Sequence, residues 1–163
     1  MDQDMKTEIT VGLKRLDELL ESRILWELPA KYNFRKSVFI EVLIHLKDLL
    51  IKASNLDKRI TFTDDIVPDR VLRITDVTDL ISNFRDASCH SDSYRRKAGG
   101  ATLFFNEMRG KAGLAKINDV EIKNPYDDEI AFNMGQNVLL LKRHIERAYT
   151  EVKAVLEPLL KLL

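Results

Sequence analysis

Arg85-Asp86-Ala87-Ser88-Cys89-His90 holds the residues best suited to chemistry in this chain. Asp86 and His90 are spaced i, i+4, so on a helix they stack on one face within hydrogen-bonding reach. A carboxylate there orients the imidazole and fixes its tautomer. Arg85 adds a permanent cation whose planar fork of donors matches a phosphate. An anion holder, a proton-transferring group and an orienting carboxylate are what cleaving a phosphodiester by acid–base catalysis requires, with no metal and no cofactor. Tyr94-Arg95-Arg96-Lys97 follows closely. Its three cations suit the flanking backbone of a bound RNA, and Tyr94 suits stacking on a base. The same run also reads as a basic helix end that complements the macrodipole.

Helical geometry sets conditions on such a site. At about 100° per residue, Val77, Leu80, Ile81, Phe84 and Ala87 share a core face, with Arg85 to one side and Asp86 and His90 towards the polar side. Arg85 and His90 then lie about 140° apart, too far for one phosphate on a straight helix. A bend or end near Ser88, or a symmetric homodimer with a shared cleft, would bring such groups together. The bland reading is a solvated surface pair of little energetic weight. Lys142-Arg143-His144 forms a second basic run, with His144 at the edge of a core face. His45 reads as a structural histidine. Asp64, Asp65 and Asp69 match no metal-loop spacing and read as a solvated connection. Cys89 and His90 are adjacent, so their side chains diverge and form no nucleophile pair. Walker, dinucleotide and Gly-x-Ser-x-Gly patterns are missing, which weighs against enzymes built on them.

The Arg85, Asp86 and His90 pattern resembles the active motif of the HEPN superfamily, helical domains found in many prokaryotic ribonuclease toxins and defence proteins. That motif has an arginine, commonly followed by Asn, Asp or His, and a histidine after an interval of four to six residues; here the interval is four. Many toxin members carry a tyrosine two residues after the histidine, where this chain has Asp92. The resemblance implies a metal-independent RNA endonuclease in a toxin or antiviral setting. It also implies a 2′,3′-cyclic phosphate product, a homodimer with paired motifs, and an antitoxin or nucleotidyltransferase partner.

A length of 163 residues suits one domain, expected over 1–163. Apolar residues at 45% and charged residues at 32% describe an ordered soluble chain, not a disordered one. Lys plus Arg equals Asp plus Glu, 26 each, so any RNA contact has to come from a local patch. The one cysteine excludes an internal disulfide or a cysteine-based zinc site. It fits a reducing compartment. An acidic opening, Met1-Asp2-Gln3-Asp4, with no apolar segment of signal-peptide length behind it, makes the cytoplasm the expected location and no membrane the expected contact.

Apolar spacing predicts helices over about 7–28, closed by Pro29, and over about 34–55. A third helix is capped by Thr75 or Asp76 and ends no later than Gly99-Gly100. The last helix begins after Gly135 and is terminated or kinked near Pro158. Leu103–Met108 and Leu114–Ile122 have strand character, and Ile130, Phe132 and Met134 alternate with smaller or polar residues. The expected fold is therefore mainly α: an antiparallel four-helix bundle, HEPN-like, with a small β-hairpin at about 102–134 inserted before the last helix. Two other functions fit these residues. One is a non-catalytic HEPN-like binding or regulatory module, and the other a helical adaptor that uses the hairpin as its contact surface.

Overall fold

Asp2 begins the first helix, its side chain accepting the Met5 amide at 2.8 Å. The computed structural model describes residues 2–27, 32–90, 94–98, 101–102, 106–117 and 120–161. Helix α1 (Gln3–Glu21) ends earlier than the periodicity predicts, because Arg23 turns left-handed at φ 58°. The carbonyls beyond it are taken by two arginines: Arg35 donates to Ile24 and Leu25, and Arg109 to Leu25, Trp26 and Glu27. These side chains replace the amides that a continuing helix would have supplied. Pro29 lies outside the described residues.

Helix α2 (Tyr32–Asn55) is the central element. Phe39, Val42, Leu43, Leu46, Leu49, Leu50 and Ala53 are all fully buried along it. Gly12 of α1 lets the two helices approach closely, since a Cβ there would sit 3.2 Å from a Leu49 methyl. After a long connection, helix α3 (Val77–Cys89) starts at Asp76, whose side chain accepts the Asp79 amide at 2.9 Å. Arg59 grips Asp76 with two hydrogen bonds of 2.9 Å and so anchors the connection to that cap.

The chain beyond α3 departs from the expected single hairpin. A short 3-10 turn (Tyr94–Arg96) leads to β1 (Lys97–Ala98) and β2 (Ala101–Thr102), paired with each other. Then come β3 (Asn106–Arg109), β4 (Ala112–Ile117), β5 (Val120–Asn124), β6 (Ile130–Met134) and β7 (Asn137–Leu140). β3, β6 and β7 form an antiparallel sheet with β6 in the middle, while β4 and β5 form a separate hairpin. A turn of π-helix (Leu141–Glu146) then opens into α4 (Arg147–Leu160).

A four-helix bundle carrying one hairpin is therefore incorrect, because the sheet is a structural layer of its own. All five residues of β6 are buried. On one face Ile130, Phe132 and Met134 join the helical core, with the Phe132 ring 4.2 Å from that of Phe39 on α2. On the other, Ala131 meets Met108, Leu140 and Ile122 beneath the β4–β5 hairpin. The segment read as one strand over 114–122 is that hairpin, and its tip at 118–119 lies outside the described residues. The last helix begins at Leu141 rather than after Gly135. Gly135, at φ 61°, turns the chain so that β7 pairs with β6 from Met134↔Asn137 to Ala131↔Leu140. Pro158 sits in the final turn, and α4 runs two residues past it. Among the described residues no helix is long and apolar enough to cross a membrane.

Candidate functional site

Helix α3 packs on α2, and its core face carries Val77, Leu80, Ile81, Phe84 and Ala87 as the spacing requires. Arg85 and Asp86 lie at the rim of that contact, half-buried at 33% and 26% side-chain exposure. The helix stops at Cys89. His90 is already extended (φ −123°, ψ 111°) and exposed, so the third helix ends ten residues short of Gly99-Gly100. Those two glycines lie outside the described residues, as does Asp92.

This end of the helix does not join Asp86 to His90. The Asp86 carboxylate is held by Lys47 of α2, whose ammonium donates to Oδ1 at 2.8 Å. Arg85 donates to the same oxygen at 3.2 Å, and Arg95 stands 3.8 Å from Oδ2. Burial alone would raise the Asp86 pKa. The hydrogen bond and charge of Lys47, with Arg85 and Arg95, outweigh it and hold the carboxyl below its ordinary value. Among the described residues His90 forms no hydrogen bond or ion pair. Lys47 carries no sequence signal of function, since it is one of several polar residues along a buried helix. Only the α2–α3 packing places it opposite Asp86.

Within Tyr94-Arg95-Arg96-Lys97 the predicted residues separate. Tyr94 is 54% exposed, with the Arg95 guanidinium 4.8 Å from its ring centroid. Arg95 turns back to α3, where Nε donates to Asn83 Oδ1 at 2.8 Å. Asn83 in turn donates to the Leu72 carbonyl. That carbonyl belongs to a tight loop closed by the Asp69↔Ile74 bridge, which displays Arg70 and Arg73 to solvent. The side chains of Arg96 and Lys97 lie outside what the structure describes.

The other polar clusters hold the fold together. His144 is fully buried; its Nδ1 accepts the Leu140 amide and its Nε2 lies 3.0 Å from the Asp64 carbonyl, so the proton sits on Nε2. Burial pushes its pKa down. Arg143 pairs with Asp128 and Glu129, Lys142 with Asp128, and Arg147 with Asp64 and Glu151. The second basic run is thus matched by acids. Asp65 accepts from the Tyr126 hydroxyl, and Asp69 from the Val71 and Leu72 amides and from Gln136. His45 lies 4.0 Å from Glu41 on its own helix.

The α3 end therefore offers an exposed imidazole and, in the last turns of the helix before it, two cations sharing one carboxylate oxygen. Such a place can hold an oxyanion and present a proton-transferring group, without an orienting carboxylate on the histidine. No protein-family model matches the sequence, no curated protein matches it, and no solved structure matches the fold.

Proposed function

We propose that this protein is a metal-independent RNA endonuclease of HEPN type, acting in a toxin or antiviral setting. Arg85 holds the scissile phosphate and stabilises its added charge, as preorganised donors do. His90 takes the proton of the ribose 2′-hydroxyl or protonates the leaving oxygen. The 2′-oxygen attacks the phosphorus, the 5′-oxygen leaves with a proton, and a 2′,3′-cyclic phosphate remains. One observation carries this reading. In a chain with no net charge, Lys47 and Arg85 converge on one carboxylate oxygen at the helix end that carries the exposed His90. Support comes from the motif and its surroundings, not from the fold, since the sheet layer sets this chain apart from an all-helical HEPN layout. In a homodimer with two motifs across a shared cleft, each α3 end would supply groups to the same phosphate.

A second reading has its own observation. Asp86 is committed to Lys47 and Arg85 and not to His90, which favours an RNA-binding module without catalysis. Inducing the wild type, Arg85→Ala and His90→Ala at matched expression separates the two, with total RNA examined alongside and the purified proteins assayed in EDTA. Growth arrest and cyclic-phosphate-ended fragments in the wild type alone, undiminished by EDTA, are expected. Intact RNA in all three overturns catalysis, and cleavage that persists in His90→Ala removes His90 from it.

A further inference from the structure

We infer that Lys47 of α2 is a second phosphate-holding cation of the site, and that Asp86 is the post tying it to Arg85. This rests on the reading of the α3 end as an RNA site. The inference begins from an imbalance of charge. At Glu107 and at Asp128 two cations also share one carboxylate, but each takes its own oxygen: Arg109 and Arg35 in the first, Arg143 and Lys142 in the second. At Asp86 a single oxygen, Oδ1, serves both Lys47 at 2.8 Å and Arg85 at 3.2 Å. One negative charge cannot neutralise two cations. The pair keeps a net positive charge at a half-exposed rim, where a second anion can reach it.

The two cations also come from different helices, so their separation is set by the α2–α3 packing and by the shared carboxylate. Both donors reach one and the same oxygen position, at 2.8 Å and 3.2 Å, so both can act together on a single anionic group at this rim. Arg85 supplies directed forked donors and Lys47 a compact ammonium that can rotate towards the ligand. Asp86 is thus a positioning residue for the cations. It fixes them in the absence of RNA at the expense of part of their charge, and its partners leave His90 free of it.

The test is RNA binding in the His90→Ala protein, where cleavage does not interfere. The probe is a short fluorescein-labelled single-stranded RNA, read by anisotropy across a salt series. Lys47→Met keeps the aliphatic stem and removes the charge. It is expected to weaken binding about 5- to 10-fold near 0.1 M salt and to reduce the salt slope by about 0.7, the change for one phosphate contact on a single strand. Lys47→Arg restores affinity to within about twofold. Lys52→Met, the control, removes a charge from the same helix where Lys52 meets Asp48 and Glu8, and should bind unchanged. Thermal melting of each variant separates lost binding from lost fold. Lys47→Met binding like Lys52→Met, or Lys47→Arg as weak as Lys47→Met, overturns the inference and leaves the ribonuclease reading standing. No RNA binding by the His90→Ala protein overturns both.

Discussion

Replacing Asp86 by Asn tests which neighbour that carboxylate serves. The change keeps shape and removes charge, and the cost follows from the contacts. Lys47 and Arg85 lie at 2.8 Å and 3.2 Å, and at an effective dielectric of about 20 each such pair attracts by roughly 5 kcal/mol before other effects. Lost hydration and side-chain ordering cancel most of this at a half-exposed rim, leaving about 1 kcal/mol per pair. Asp86→Asn should therefore lower unfolding free energy by about 2 kcal/mol in urea titrations at pH 7. A double-mutant cycle with Lys47→Met should return a coupling of about 1 kcal/mol, whereas one with His90→Ala should return less than about 0.3 kcal/mol. The pH dependence has a definite sign. Asp86 titrates below its ordinary value in the folded protein, so its contribution is present above about pH 4 and is lost as pH falls through the folded value. Wild type and Asp86→Asn should then converge in acid. A coupling near 1 kcal/mol to His90, or an Asp86→Asn protein as stable as wild type at pH 7, refutes the reasoning.

Two further expectations concern the frame that carries the site. Glu129, whose side chain is fully buried, accepts from the amides of Ile130, Lys142 and Arg143 and from the Arg143 guanidinium, so it caps the helix that leads into α4. Glu129→Gln turns an amide group towards those donors and should cost about 3–5 kcal/mol, read as a fall in urea midpoint; a loss under about 1 kcal/mol contradicts the capping role. His144 is held neutral by burial and by the Leu140 amide, and its folded pKa lies below its unfolded value of about 6.5. Its share of stability is complete above that value and declines as pH drops below it, so the melting temperature should fall between pH 7 and 5.5 and fall less in His144→Gln. Equal slopes in the two proteins remove His144 from that decline.

The helices were legible because their signal is local. Leu13 and Leu16, or Phe39, Leu43, Leu46 and Leu50, repeat at three and four wherever the chain goes, and the Asp76 cap lies beside the helix it starts. The sheet was not legible, since Val138-Leu139-Leu140-Leu141 is an apolar run that fits a buried strand and a helix start equally well. Pairing with β6 settles it, and that pairing depends on Gly135 turning the chain. The end of α1 was likewise hidden, because the side chains that take its outlying carbonyls, Arg35 and Arg109, are far from it in sequence.

The candidate site divides along the same line. Residue types and spacing by themselves determined that Arg85, Asp86 and His90 follow one another on the third helical stretch, off its core face and within a chain of no net charge. The tertiary structure alone decided what Asp86 touches. A hydrogen bond between i and i+4 exists only while the helix persists, and α3 ends at Cys89, which releases His90 before the contact can form. Lys47, 39 residues earlier, reaches the carboxylate instead because burial of apolar residues on α2 and α3 brings their rims together. Local spacing proposes partners, and packing between distant segments chooses among them.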